Sequence, residues 1–164
     1  GLKIRTPGEI QLQKTMEAAG ALVQAINFKE LPMALKQGVV DGQENPLSVI
    51  YHYKLYEVQP YLALTYHVYN SMMCVASKRT WSKLTADQQK ILKEEAQKAG
   101  QWFRETQLAA NADLIEKLIG KGMKVTLTDR AAFKAQMQYA YDAIGEYAGK
   151  DNVVKFLKMV EETP

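Results

Sequence analysis

The sequence predicts an α/β fold built on a small, mostly parallel sheet with flanking helices, and three observations carry that prediction. Up to residue 40, short apolar runs alternate with helix-period stretches in the order strand, helix, strand, helix, strand. Glycine or proline marks most of the switches, where the chain must turn. Further on, Thr85-Ala86-Asp87-Gln88 forms a capping box that opens one very long amphipathic run.

Leu2 and Ile4 alternate with Lys3 and Arg5, a half-buried strand stopped by Pro7. Glu9 to Ala19 reads as a helix with Ile10, Met16 and Ala19 on one side and Gly20 as its stop. Leu22 to Ile26 is a second strand. Leu31 to Gln37 is a short helix with Pro32 in its first turn, closed by Gly38. Val39-Val40 reads as a third strand, and a helix follows from Pro46 to Tyr56. This spacing calls for parallel strands joined by right-handed crossovers.

Tyr61 to Ser77, rich in β-branched and aromatic residues, predicts one extended strand or two with a bend near Asn70-Ser71. The capped helix then runs toward Ile119, with Leu92, Ala96, Ala99, Phe103, Ala110 and Leu114 on one stripe and Gly120 beyond it. That is roughly 50 Å of helix at 1.5 Å per residue, against a body only ~40 Å across for a domain of this size. Unless Gly100 breaks it, the helix outruns its own domain. Met123 to Leu127 is a last strand, Thr128 or Asp129 caps a helix from Arg130 to Tyr147, and Val153 to Val160 is the final helix.

At 164 residues, 47% hydrophobic and 24% charged, the chain fits one globular core, and no apolar run reaches a bilayer's width. A net charge of +3, with both signs interspersed, gives no nucleic-acid footprint. A lone cysteine, Cys74, excludes an internal disulfide and a cysteine metal cluster, and its apolar surroundings predict a buried, inert thiol. His52 and His67 have no partner at metal-ligand spacing, and phosphate-binding glycine loops are absent. Trp81 and Trp102 fit core positions on helices. The reading is therefore of no metal and no cofactor. Because Gly1-Leu2-Lys3-Ile4-Arg5 enters strand alternation at once, residue 1 is expected to be a processing or engineered boundary.

The polar turn Asp41-Gly42-Gln43-Glu44-Asn45-Pro46 follows the third strand, where open α/β sheets bind ligands. Gly42 is expected to supply a backbone conformation closed to other residues, and Pro46 to open the next helix. Together with Leu35-Lys36-Gln37-Gly38-Val39-Val40 before it, this turn resembles the signature of the solute-binding proteins of TRAP transporters, DctP type. Further matches are Gly1 to Arg5 ahead of Pro7, Phe28, Tyr56-Glu57-Val58-Gln59, His67-Val68-Tyr69, Ser77-Lys78 and Trp81.

The resemblance implies the C-terminal lobe of a two-lobed periplasmic protein, with the long helix and C-terminal helices as braces. Residues 1–80 would form the α/β ligand-binding lobe with a strand crossing the hinge, and 81–164 the bracing helices and short strand. The N-terminal lobe would be missing, since family members are roughly twice this length, and the fragment would bind weakly alone and self-associate. A small organic acid would be the ligand and the TRAP membrane subunits the partner, with transport driven by an ion gradient.

Alone, Arg5 reads as a surface arginine. The resemblance makes it the carboxylate clamp, which suits a planar guanidinium. Asn45 either caps the following helix or supports the same carboxylate. Phe28, core by composition, would line the cleft. Gln43 and Glu44 would steady Arg5 and Asn45, and Tyr69 and Asn70 are secondary candidates. Two other functions fit the residues: a helical interaction module on the long helix, and a small enzyme using Asp41 and Glu44 as paired carboxylates.

Overall fold

The computed structural model of the chain describes residues 1–69, 71 and 73–163. Strand β1 (Lys3–Thr6) lies between β2 (Leu22–Ala25) and β3 (Gly42–Gln43), both parallel to it, in registers that pair Arg5 with Gln24 on one side and Gln43 on the other. Helix α1 (Ile10–Ala18) connects β1 to β2, and α2 (Leu31–Lys36) leads toward β3. A second parallel pair joins β4 (Tyr61–Leu64) to β5 (Lys124–Leu127). The predicted α/β class with small parallel sheets is what forms.

The third strand is not Val39-Val40 and starts three residues later, at Gly42. Gly38, at φ +69°, ends α2: its N–H donates to Leu35 O at 3.2 Å, and Val39 N–H donates to Ala34 O at 2.9 Å. This is a Schellman closure, and it spends the Val39 amide on the helix. Val40 alone is buried. Asp41 then fastens to the start of β1, donating its N–H to Lys3 O at 2.7 Å and accepting from Lys3 N at 2.8 Å. Gly42 has an ordinary φ. Its lack of a side chain matters because a Cβ would stand 2.9 Å from Ile4 Cδ1.

Helix α3 (Leu47–His52) begins after Pro46 and ends well before Tyr56, because Lys54 turns left-handed at φ 55° into a short 3-10 turn, Leu55–Glu57. The extended reading of Tyr61 to Ser77 also fails. β4 stops at Leu64, where β5 ends beside it, and Tyr66 turns at φ 48°. Without a partner strand, β propensity does not hold a strand.

Helix α4 (Lys78–Trp81) precedes α5 (Ala86–Gly120), a single 35-residue helix that passes through Gly100 unbroken and starts at the predicted capping box. At 1.5 Å per residue it spans about 52 Å. It ends in another Schellman closure: Gly122, at φ +92°, donates to Ile119 O and Met123 to Leu118 O. Asp129 caps α6 (Arg130–Ala135) by accepting from the Ala131 and Ala132 amides. The single helix expected to Tyr147 is two, because the chain turns at Gln136-Met137 before α7 (Gln138–Ala148), and α8 (Lys150–Glu161) packs on α7.

In the main core cluster Leu31, Leu35, Val40, Ile50, Leu55, Leu62, Leu64, Leu118 and Met123 bury together, while Met16, Met137 and Ala140 are buried outside it. Only the C-terminal end of α5 enters it, and Leu92 and Phe103 of the predicted stripe stay exposed. Trp102 (65% exposed) and Cys74 also face solvent, contrary to their apolar reading. On β1 the alternation holds for exposed Lys3 and half-buried Ile4 but not beyond: Arg5 and Thr6 are both buried, and Leu2, ahead of the strand, is exposed. Among the described residues, no helix is long and apolar enough to cross a membrane.

Candidate functional site

A buried cation organises the C-terminal end of the three-stranded sheet. Arg5, only 3% exposed, donates from Nε to the carbonyl oxygen of Ile26 at 2.8 Å, just past β2. That bond fixes the plane of the guanidinium, and it is the one hydrogen bond from this side chain among the described residues. The terminal nitrogens Nη1 and Nη2 retain donors for a ligand. Phe28 lies beside it, with Arg5 Cζ 5.8 Å from the ring centroid, a cation–π contact. Tyr53 meets the Phe28 ring edge-on, the centroids 4.8 Å apart, and holds it there.

Burial depresses the Arg5 pKa, and the carboxylates of Glu44 and Glu9 oppose it by favouring the charged form. The guanidinium stays protonated at any physiological pH. An open recess of about 370 Å³ lies over it, lined by Arg5, Gly8, Glu9, Ile26, Asn27 and Phe28.

The polar turn supplies a second, adjoining group. Gln43 is the register neighbour of Arg5 on β3, and Asn45 Nδ2 donates to Gln43 Oε1. Asn45 makes no capping hydrogen bond to α3. With Glu44 it lines a cavity of about 270 Å³ that also includes Ser48, Thr65, His67 and Asn111. Glu44 Oε2 stands 3.7 Å from His67 Nε2, an ion pair when the imidazole is protonated. His67 Nδ1 is 2.6 Å from Thr65 Oγ1, while its buried Nε2 has no hydrogen-bond partner among the described residues.

The structure thus brings Arg5 and Phe28 into one recess and Asn45 and Glu44 into a neighbouring one, with Gln43 on the strand between them. Tyr69 is 86% exposed, and Asn70 falls outside the described residues. Glu9 was not singled out from the sequence, and His67 was weighed there without a partner. His67 reaches Glu44 only through the turn at Tyr66, and Glu9 shares the recess across Pro7 and Gly8. No sequence pattern pointed to Glu9, whereas His67 stood in the matched run His67-Val68-Tyr69. Asp41, the other half of the suggested acid–base pair, is occupied with the Lys3 amide. No cluster of metal-ligating side chains occurs among the described residues.

The C-terminal end of the parallel sheet thus presents an anchored arginine, an aromatic face and an open recess, at the end where open α/β sheets bind ligands. Comparison supplies the family. The model of the bacterial extracellular solute-binding protein family 7, DctP, matches residues 1–147, and the chain belongs to that family.

Among its relatives, the sialic acid-binding periplasmic protein SiaP of Vibrio cholerae is 35% identical over 97% of this chain and 50% of its own length. The 2,3-diketo-L-gulonate-binding periplasmic protein YiaO of Escherichia coli is 31% identical over 99% and 49%. A TRAP periplasmic solute-binding protein from a Polaromonas species, solved with D-erythronate, superposes with a TM-score of 0.82 at 35% identity, covering 94% of this chain and 52% of that one. An apo open structure from Escherichia fergusonii gives 0.85 at 27% identity, with the same coverage. The chain spans about half the length of the curated relatives it matches.

Proposed function

We propose that this chain supplies the carboxylate-gripping lobe of a periplasmic solute-binding protein that hands a small organic acid to a TRAP-type membrane transporter. The observation that carries the reading is Arg5. A buried guanidinium is expensive unless its donors are used, and here Nε is used while the terminal fork borders an open recess beside an aromatic face. A ligand carboxylate on that fork would make two parallel charge-assisted hydrogen bonds and balance the charge. Phe28 then offers apolar contact to the ligand's carbon skeleton, and Asn45, steadied by Gln43, stands on the adjoining strand end for a further hydrogen bond.

Relatives whose names record sialic acid or 2,3-diketo-L-gulonate support an organic acid as the ligand class. Family membership also supports binding without catalysis, and the periplasm as the place of action. A complementary lobe is the natural partner of the apolar N-terminal part of α5, where Ile91, Leu92, Trp102 and Phe103 are exposed. Residues 1–80 then act as the ligand lobe and 81–164 as the brace. Closure of two lobes excludes water and strengthens the Arg5–carboxylate pair. One lobe alone grips weakly and tends to self-associate through the same face.

Calorimetric titration of this chain with sugar acids, beside Arg5→Ala, tests the reading. The expected result is weak, Arg5-dependent binding. Equal heats from both proteins would remove Arg5 from the site.

A further inference from the structure

The recess over Arg5 holds one more chemically active side chain that the carboxylate grip does not use. Glu9 lines it together with Arg5, Ile26 and Phe28. It occupies the N-cap position of α1 yet makes no capping hydrogen bond, and it is exposed. Among the described residues it takes part in no ion pair. Its charge still reaches Arg5, since Glu9 and Glu44 both favour the protonated guanidinium.

Of the residues lining this recess, Arg5 is the one cation and Glu9 the one anion. A carboxylate that occupies the Arg5 fork uses up the positive charge. What extends beyond it meets an ionised Glu9, which can only accept hydrogen bonds. A ligand O–H satisfies that acceptor. A methylene leaves it to water, and a second carboxylate meets a like charge with no cation to offset it. Space is available, because nothing lies within 4 Å of where a Cβ on Gly8 would be.

We propose that Glu9 is a specificity-determining residue of this recess, selecting hydroxylated monocarboxylates over dicarboxylates by accepting a hydrogen bond from a ligand hydroxyl. The proposal rests on the carboxylate reading of Arg5. Because Glu9 is exposed, its leverage is that of a surface charge, about two- to fivefold per contact.

The test is a nitrogen-15 NMR titration of this whole chain, following the Arg5 Nε–H resonance, which its bond to Ile26 O holds in place. D-Erythronate, butyrate and succinate form a four-carbon series that varies hydroxyls and charge alone. Wild type should bind erythronate most tightly and succinate least. Glu9→Gln, which keeps the shape and removes the charge, should tighten succinate about two- to fivefold. Glu9→Ala, which also removes the acceptor, should bring erythronate and butyrate within about twofold of each other. Unchanged amide spectra for both variants separate selectivity from folding.

If both variants keep the wild-type order and ratios while Arg5 still responds, Glu9 selects nothing and the proposal is overturned, with the Arg5 site intact. If no acid moves the Arg5 resonance in wild type, the carboxylate site itself falls, and the selectivity with it.

Discussion

Arg5 Nε and the carbonyl oxygen of Ile26 lie 2.8 Å apart, so the residue after β2 fixes the orientation of the cation at the end of β1. The side chain that grips is thereby held before a ligand arrives, and ordering it costs nothing on binding. Lysine cannot take its place. Arg5→Lys keeps the charge but loses both the fork and the Ile26 bond. Carboxylate affinity should fall about ten- to a hundredfold, the worth of a charge-assisted pair. Calorimetry beside the parent chain measures it.

Removing the side chain should also cost stability. Arg5→Ala leaves the Ile26 carbonyl without its partner and vacates the space of a buried side chain. A loss of about 1–3 kcal/mol is expected in urea unfolding.

At Gly42 a methyl group should be felt for reasons of space, not of backbone conformation. The 2.9 Å approach of a Cβ to Ile4 Cδ1 sets β3 against β1. Because Cδ1 is the far end of a flexible, half-buried side chain, Gly42→Ala should cost only about 0.5–1.5 kcal/mol, the worth of a displaced rotamer. Adding Ile4→Val removes the colliding Cδ1 and should return part of that loss. Additive losses in the double variant would show that the clash is not the cause.

The contact of α1 with α7 should weaken in acid. Glu17 accepts hydrogen bonds from Lys14 at 2.7 Å and from Tyr139 at 2.9 Å. Chiefly through the Lys14 bond, its carboxyl is held below the ordinary value of 4.5, with burial opposing the shift and the Tyr139 bond adding to it. A carboxyl depressed on folding stabilises the fold above its unfolded pKa, and that gain is lost as the pH falls through the folded one. The window therefore lies below pH 4.5. Glu17→Gln should flatten the acid limb of the stability curve there and leave the neutral region nearly parallel.

The exposed end of α5 should drive association. Trp102→Glu with Phe103→Lys places opposite charges where two large apolar side chains now meet solvent. Sedimentation of the wild-type chain should show a concentration-dependent dimer, and the double variant a monomer. A monomeric wild type at all concentrations would end this prediction.

Local chemistry was legible wherever a short range of sequence settles it. The Thr85–Gln88 capping box, the closures at Gly20 and Gly38, and the Asp129 cap all depend on neighbours within a few residues. The path of Tyr61 to Ser77 was not, because a strand lasts only as long as its partner, and β5 lies some 60 residues away with four residues to offer. Nor was the exposure of Cys74, Leu92 and Trp102, since an apolar side chain carries no record of whether a surface exists to cover it.

By itself the sequence determined the α/β class, the long capped helix, the family signature and the identity of Arg5 as a candidate anchor. Each is a matter of period, capping or motif, and each is written in adjacent residues. The tertiary structure decided what those residues do together. It buried Arg5 where alternation had pointed Leu2 inward, tied its Nε to Ile26, set Phe28 against it with Tyr53 behind, and placed Glu9 in the same recess. Glu9 apart, those relations join positions distant along the chain, and the parallel pairing of β1 with β2 is what brings Arg5 to Ile26.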